Sequence, residues 1–436
     1  MSSNMKEKLK PNFIWLTVEN VIRLSVGILV SVAVVNYLSP KMFGELAYAL
    51  AVSGFVTTLG HLGLGGILVR VIHNISESEG ARHLRAVVAV RFVWIAILVL
   101  LVAIASYLYD DLGVHFELVV LGLTAAVLTS FQTYESWFEA RVLSKWKAWA
   151  SLISFAVGSF LKISAIYNDW GVNAIALATV IQAAVLAFLT LFFYQKLSKQ
   201  VAVIGQSALS ATREMIRSSA PVYFGTICAV IYLKIDQFML RWMAGSEELA
   251  IYAVAAQWSE AIYFMPAVLV STLYPKLISE KEKSSQIYYR TLQAVIDLLW
   301  LLAAITAVIV VLSADYLIGV LYSDTYASSA LILKIHIFSA FFVFTRAAVS
   351  KWIVLEKLYS YSLISQGFGA FANVVLNFFL IQFYGAEGAA WATVLSYFIA
   401  SYLAFYFLPK GAEIFKVLSL APLGMTRYKE IRGLFL

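Results

Sequence analysis

Charged residues are scarce in this sequence, and cysteine is almost absent. Asp, Glu, Lys and Arg make up 13% of the 436 residues, whereas apolar residues make up 61%. An ordinary soluble domain is about one quarter charged and about half apolar. So little polar surface cannot cover a folded chain in water, which excludes a soluble domain and indicates a lipid environment. The single cysteine, Cys228, lies in an apolar stretch, so the sequence predicts no disulfide and no redox chemistry.

Motifs for catalysis, metal binding and nucleotide binding are missing as well. The five histidines are scattered and form no HExxH pattern, so we expect no metal, no cofactor and no catalytic residue. No GxxxxGK[ST] phosphate-binding loop occurs, which excludes an ATP-driven motor within the chain. The net charge of +7 is spread over short clusters between apolar stretches, which argues against a nucleic-acid partner. The loops on one predicted side are too short for a catalytic domain, so we expect that the protein is not an enzyme.

Apolar stretches long enough to cross a membrane repeat along the whole chain. Crossing the hydrocarbon core takes roughly 20 apolar residues. Twelve windows of about this length occur, at 13–37, 45–71, 87–108, 117–137, 149–167, 173–194, 219–243, 250–274, 291–313, 328–349, 359–383 and 389–408. The sequence therefore predicts an all-α, multi-pass integral membrane protein with about 12 transmembrane helices.

The positions of lysine and arginine predict the orientation of these helices, because short cytoplasmic loops retain basic residues. With the N-terminus inside, the basic clusters fall on the cytoplasmic side, among them Lys6, Lys8, Lys10, Arg141, Lys145 and Lys147. The opposite loops hold Lys41 alone. We therefore expect both termini in the cytoplasm.

The longest inner loop divides six predicted helices from six, which favours two six-helix lobes of the kind found in many transporters. The expected domains are an N-terminal lobe at 1–197, a cytoplasmic linker at 198–217, a C-terminal lobe at 218–409 and a basic cytoplasmic tail at 410–436.

Charged residues inside the predicted helices are the candidate functional residues. A charge at a helix centre costs about 2.5–3.5 kcal/mol on insertion scales, so it should face protein or water. Arg70, Arg91 and Arg241 lie near predicted helix ends, where we expect their side chains to extend to the interface. The central set contains five bases and three acids, namely Arg23, Lys162, Lys234, Lys334, Arg346, Glu19, Asp236 and Glu260.

Spacing and charge suggest how this central set is arranged. Glu19 lies one helical turn before Arg23, so the two can pair. Lys234 and Asp236 point about 200° apart, so each needs a partner on another helix. Two interpretations remain open. Buried ion pairs could fix helix packing, or a water-filled cavity with surplus positive charge could bind an anion such as a diphosphate. In the second case the acids pair with the bases or carry coupling ions.

Several segments resemble one family of membrane proteins. The stretch Asn373–Tyr397, with Asn377, Gly385, Gly388 and Thr393, is similar to the helix eleven-to-twelve region of Wzx-type polysaccharide and O-antigen flippases. These belong to the polysaccharide transporter family of the multidrug/oligosaccharidyl-lipid/polysaccharide exporter superfamily. Weaker similarities follow in the family's order at Leu38–Gly44, Arg217–Pro221, Lys234–Leu240 and Ala250–Ala255.

The resemblance implies a flippase of the bacterial inner membrane that works by alternating access. Its substrate would be an undecaprenyl-diphosphate-linked oligosaccharide, used in assembly of lipopolysaccharide O-antigen, capsule or exopolysaccharide. Its partners would be this substrate, membrane lipids, a polysaccharide polymerase and a chain-length regulator. Two alternatives stay open: a multidrug or cation antiporter of the same fold, and a membrane glycosyltransferase or polymerase, which the short outer loops disfavour.

Overall fold

The computed structural model describes residues 3–108, 116–198 and 206–423, together with residues 431 and 434. Within this part of the chain the structure is helical and contains no strand. The helices pack into two compact units, Met1–Tyr223 and Phe224–Leu436. The predicted bounds of the linker, 198–217, stay a prediction, but residues from Gln206 onward are already part of a long helix that ends at Met243.

The N-terminal unit is a bundle in which α7 packs against α1 and α8, and α5 packs against α2 and α8. Its helices are α1 (Ser3–Tyr37), α2 (Pro40–Gly60), α3 (Gly65–Asn74), α4 (Glu77–Leu108), α5 (Phe116–Leu128), a 3-10 helix (Thr129–Tyr134), α6 (Glu135–Ala140), α7 (Ser144–Tyr167), α8 (Gly171–Ser198) and the first part of α9 (Gln206–Met243). At one end of the bundle, the Tyr37 hydroxyl donates to Asp169 Oδ1 at 2.6 Å, which ties α1 to the end of α7.

The second predicted span is broken between α2 and α3. Leu62 and Gly63 at the break have left-handed backbone angles, with φ of 53° and 66°. A break leaves helix-end carbonyls without partners, and these need other donors in lipid. Arg91 of α4 supplies them: its Nε donates to Gly60 O at 3.1 Å and its Nη2 to His61 Nδ1 at 2.9 Å. The expectation that Arg91 extends to the interface is wrong, since this residue is only 5% exposed.

The C-terminal unit contains the remaining part of α9 and eight further α-helices. These are α10 (Ser246–Glu260), α11 (Phe264–Lys283), α12 (Ser285–Leu321), α13 (Ser329–His336), α14 (Ser339–Leu355), α15 (Tyr359–Phe398), α16 (Ala404–Tyr406) and α17 (Ala412–Leu420), with a 3-10 helix (Asp324–Tyr326) and a π-helix (Ile399–Leu403). Its apolar core lies where α11, α12 and α14 pack together, around buried residues such as Val295, Phe344 and Trp352.

The long segment Tyr359–Tyr406 is a hairpin of two helices. Gly385 has non-helical backbone angles, φ 52° and ψ −129°, at the junction. On either side of it, Asn373 Nδ2 donates to Ser396 Oγ at 2.9 Å. Residues 23 apart in a straight helix would be separated by roughly 35 Å. The chain therefore reverses direction at Gly385, and Glu248 Oε2 accepts from the Ala386 N–H at 2.9 Å where the second arm begins.

The number of membrane spans depends on how broken helices are counted. Ten helices in the described residues are long and apolar enough to cross a membrane, or 11 if the pair Asp324–His336 and Ser339–Leu355, bent by 43°, is one span. The twelfth predicted helix, 389–408, corresponds to the second arm of the Gly385 hairpin. Large apolar side chains such as Leu312, which is 79% exposed, cover the outside of the units, as lipid contact requires. The predicted class, an all-α integral membrane protein, is confirmed.

Part of the predicted tail packs against the C-terminal unit. Ile414 and Leu418 of α17 are buried against the core that contains α12, and Gln293 of α12 donates to Val417 O at 2.9 Å. The Lys276 ammonium donates to Leu434 O at 3.1 Å. The described residues do not include the last basic residues of the predicted cytoplasmic tail, Arg427, Lys429 and Arg432.

Candidate functional site

A polar cavity of about 650 Å³ lies inside the N-terminal bundle. Helices α1, α2, α5, α7 and α8, with the turns at 129–135, supply its walls. Of its 16 lining residues, four are charged, eight are neutral and polar, and four are apolar. Ionisable side chains at membrane depth face protein or a water-filled cavity. This cavity is therefore the strongest candidate for a substrate site in the unit.

Arg23 lies in this cavity within a three-residue cluster. Its Nη1 donates to Glu19 Oε1 at 3.0 Å and to Ser151 Oγ of α7 at 3.1 Å. The Ser151 hydroxyl in turn donates to Glu19 Oε1 at 2.6 Å. The Arg23 side chain is 50% exposed, whereas that of Glu19 is 6% exposed. Arg23 Nε and Nη2 make no hydrogen bond within the described residues, so they remain available to a ligand.

A second charge cluster lines the same cavity. The Lys147 ammonium lies 3.0 Å from Glu135 Oε2 and 2.6 Å from Glu139 Oε1. The lining residues thus include two bases, Arg23 and Lys147, and two acids, Glu19 and Glu135. The surplus of positive charge expected from the sequence is not present in this cavity, because Lys162, the second predicted base of the N-terminal lobe, does not line it.

Lys162 lies on the same helix as Ser151 but does not line the cavity. Eleven residues correspond to just over three full turns, so Lys162 and Ser151 occupy nearly the same face of α7. Lys162 is partly buried and forms no hydrogen bond or ion pair with other residues that the structure describes. Its predicted contact with a diphosphate stays a prediction.

In the C-terminal unit, Lys234 and Asp236 each have partners on other helices, as their spacing requires. The Lys234 ammonium contacts Glu260 of α10 at 2.8 and 3.0 Å, and both side chains are partly exposed. Asp236 is only 1% exposed and accepts hydrogen bonds from Tyr252 and from Thr393, the latter at 3.2 Å. The Gln237 N–H also donates to Asp236, at 2.8 Å. A buried carboxylate with this many donors is well satisfied.

Neutral groups extend this polar cluster through α10 and α13. Ser259 Oγ is hydrogen-bonded to His336 Nδ1 at 2.7 Å, and the Tyr263 hydroxyl to Ser339 Oγ at 2.6 Å. The rings of Tyr252 and His336 lie edge to face with centroids 5.7 Å apart. Among the described residues, no group of three His, Cys, Asp or Glu side chains is placed to hold a metal ion.

Arg346 has neutral partners only. Its Nη1 donates to Ser365 Oγ at 2.9 Å and to Ala400 O at 3.3 Å, and its Nη2 contacts Ser362 Oγ at 3.4 Å. Ala400 lies in the π-helix, whose altered hydrogen bonding makes a backbone carbonyl accessible. No carboxylate pairs with Arg346 in the part of the chain that the structure describes.

Lys334 has its own counter-ion near the surface. Its ammonium lies 2.6 Å from Asp315 Oδ2, and the Asp315 side chain is 74% exposed. The structure therefore does not bring the predicted central set together in one site. Two ion pairs form within the set, Glu19 with Arg23 and Lys234 with Glu260. The other four residues, all of them described, form no ion pair with a member of the set, namely Lys162, Asp236, Lys334 and Arg346.

Sequence reasoning missed several polar residues of these clusters. Ser151, Tyr252 and Thr393 are neutral and so are not among the predicted site residues, although each bonds a predicted charged residue. Neutral polar residues inside the apolar windows are the sequence signal that could have indicated such site residues. Gln132 and Gln182 are examples, and both line the N-terminal cavity.

Solved structures share this fold along almost the whole chain. A lipid II flippase MurJ in an inward closed conformation matches with a TM-score of 0.73 at 13% identity, covering 95% of this chain and 92% of that chain. A multidrug resistance MATE family transporter of the MOP superfamily, inward-facing, matches with a TM-score of 0.70 at 15% identity, covering 94% and 99%. A MOP superfamily transporter from Pyrococcus furiosus gives 0.63 at 15% identity, covering 94% and 96%. The fold is thus that of MurJ-like and MATE-like membrane transporters.

The family follows from the sequence itself. Residues 9–281 match the polysaccharide biosynthesis protein family, which is more than half of the chain. The protein belongs to that family. No curated protein sequence matches it.

Proposed function

We propose that the protein is a flippase that moves undecaprenyl-diphosphate-linked oligosaccharide across the bacterial inner membrane by alternating access. The observation that carries this proposal is Arg23: a half-exposed guanidinium with free Nε and Nη2, in a polar cavity of a polysaccharide biosynthesis protein with a transporter fold. The similarity to the structure of the lipid II flippase MurJ supports the choice of a lipid-linked sugar as substrate.

The substrate chemistry explains why a cavity is needed. The polyprenyl chain is stable in hydrocarbon, whereas the diphosphate and the sugars are not, because charges and hydroxyls lose their hydration there. A polar cavity that stays open to water removes most of this cost. The lipid chain then remains among the membrane lipids while the head group crosses.

Arg23 is suited to hold the diphosphate during this step. The N–H groups of Nε and Nη2, on one edge of the planar guanidinium, match two oxygens of a phosphate, and such charge-assisted bonds are about twice as strong as neutral ones. Glu19 and Ser151 accept hydrogen bonds from Nη1 and so fix the orientation of the guanidinium plane. Lys234 and Arg346 would take the same role in the C-terminal unit, with Lys162 and Lys334 as weaker candidates. Asp236 and Glu260 would pair with bases or carry a coupling ion.

The proposal places the protein in assembly of O-antigen, capsule or exopolysaccharide, with both termini in the cytoplasm. A polysaccharide polymerase and a chain-length regulator would then act on the flipped units. Catalysis has no role in this function, since translocation forms and breaks no covalent bond.

A gene deletion in the native host tests the proposal. Loss of surface polysaccharide, with lipid-linked repeat units accumulating on the cytoplasmic side, is expected, and the wild-type gene should restore the polymer. Arg23→Ala, at confirmed membrane abundance, should not restore it. Lys283→Ala is the matched control, because Lys283 forms only a surface ion pair with Glu280. Unchanged polysaccharide in the deletion strain would contradict the proposal and favour a drug or cation antiporter of the same fold.

A further inference from the structure

Three carboxamide side chains line the N-terminal cavity without partners. Asn20, Gln132 and Gln182 make no hydrogen bond to other described residues, although each carries two N–H donors and a carbonyl acceptor. They lie on three different walls, in α1, in the 3-10 helix and in α8. Unpartnered amides facing a cavity need hydrogen bonds from water or from a ligand. A sugar hydroxyl, which both donates and accepts, is a matching ligand for each of them.

The absence of a side chain at Gly158 lets Gln182 pack closely against α7. A Cβ atom added at Gly158 would come within 2.7 Å of Gln182 Cβ and would also overlap its carboxamide oxygen. The carboxamide therefore lies directly against the α7 backbone. Contact with α7 excludes part of the rotamer space of Gln182, so binding a ligand costs this side chain less conformational entropy.

The charges of the cavity are already balanced. Arg23 is paired with Glu19, and Lys147 is paired with Glu135 and Glu139. The diphosphate can use the free N–H groups of Arg23. A further carboxylate on the ligand would find no free cation among the described lining residues and would lie near Glu19 and Glu135. Such like-charge contacts discriminate against a ligand more strongly than a missing attraction does.

We infer that this cavity selects an uncharged saccharide next to the diphosphate, made of hexose or N-acetylhexosamine units without carboxylates, and that Gln182, Gln132 and Asn20 bind its hydroxyls. This inference rests on the proposed function, because it assumes that a lipid-linked saccharide enters the cavity. A site built from amide groups rejects ligands that lack the matching hydroxyls, since its polar groups are then left without partners.

Binding of three matched probes tests the inference. The probes are farnesyl diphosphate, farnesyl-diphosphate glucose and farnesyl-diphosphate glucuronic acid, measured with the full-length protein in phosphatidylcholine nanodiscs at pH 7. Glucose and glucuronic acid differ only at C6, so their comparison isolates the carboxylate. We expect the glucosyl probe to bind about tenfold more tightly than the saccharide-free probe and about tenfold more tightly than the glucuronosyl probe.

Variants connect this selectivity to named residues. Gln182→Ala should bring the ratio of glucosyl to saccharide-free affinity toward one. Gly158→Ala should do the same by displacing the Gln182 side chain, although Gly158 itself does not line the cavity. Glu135→Gln should raise the affinity for the glucuronosyl probe. Gln286→Ala, a matched change of an exposed glutamine at the start of α12, should leave all ratios as in the wild type.

The outcomes separate this inference from the proposed function. If all probes bind and Arg23→Ala weakens them, but the glucuronosyl probe binds as tightly as the glucosyl probe, the inference is overturned and the flippase proposal stands. Selectivity that survives both Gln182→Ala and Gly158→Ala would also overturn it. If no probe binds, or if Arg23→Ala has no effect on any of them, the proposed function itself fails.

Discussion

Replacing Arg23 with lysine keeps the positive charge in the N-terminal cavity but removes the planar guanidinium. In the wild type, Nη1 holds Glu19 and Ser151 while Nε and Nη2 remain free. A lysine has one ammonium group, and the nearly buried Glu19 carboxylate would engage it. Two charge-assisted hydrogen bonds to the diphosphate would be lost, each worth about 1.5–3 kcal/mol, while part of the Coulomb attraction would remain.

The expected net loss is about 1.4–2.8 kcal/mol, which is a 10- to 100-fold weaker affinity for farnesyl diphosphate. Isothermal titration calorimetry on the protein in nanodiscs would measure it. Lys283→Ala serves as the control, since its side chain is 60% exposed and its ion pair lies at the surface. An Arg23→Lys affinity within about twofold of the wild type would refute the argument that the free guanidinium edge binds the diphosphate.

Three further predictions concern single side chains. Ser151→Ala removes the hydroxyl that orients the guanidinium and should weaken farnesyl diphosphate binding by about three- to tenfold in the same calorimetric assay, so an unchanged affinity would argue against a positioning role. Gly385→Ala puts a Cβ at positive φ and 2.7 Å from a carboxylate oxygen. It should lower the free energy of unfolding in detergent by about 1–3 kcal/mol. Gly319→Ala is the control and should not lower it, because a Cβ at Gly319 meets open space. Equal free energies of unfolding for the two variants would contradict the predicted backbone strain at Gly385. Arg91→Leu leaves Gly60 O and His61 Nδ1 without their donor. It should cost about 1–3 kcal/mol of stability and speed hydrogen exchange at 60–66. Undiminished protection of these amides would show that the helix break does not depend on Arg91.

The sequence predicts the membrane helices well because each needs only its own apolar residues. Helix length and composition are local properties, and lipid imposes them on every span. The spacing of Glu19 and Arg23 also predicts their pairing, since residues four apart lie on one face of a helix. That pairing is present, at 3.0 Å.

Breaks within helices were harder to predict. Averaging hydropathy over a window hides a short interruption such as Leu62–Gly63, and the glycines around it fit close packing equally well. The stability of that break depends on Arg91, 31 residues from its acceptor Gly60. Without the fold, no local pattern connects the two residues, so Arg91 was expected at the interface.

The composition of the candidate site was the least predictable part. Periodicity gives the face of a helix but not the helix that packs against it. Ser151 is 128 residues from Arg23, and Thr393 is 157 residues from Asp236. The sequence also did not show that Lys162 lies outside the N-terminal cavity, and so it overstated the positive charge there. The diphosphate-binding roles of the predicted bases stay predictions.

Translocation of the host's own lipid-linked oligosaccharide in proteoliposomes tests the central claim most directly. The purified protein would be reconstituted in vesicles that contain this lipid, and exposure of its sugar to an external glycosidase would be followed over time. We predict that sugar from the inner leaflet becomes accessible with wild-type and Lys283→Ala protein, and stays protected with Arg23→Ala protein and in empty vesicles. Equal protection with wild-type protein and in empty vesicles would contradict the account.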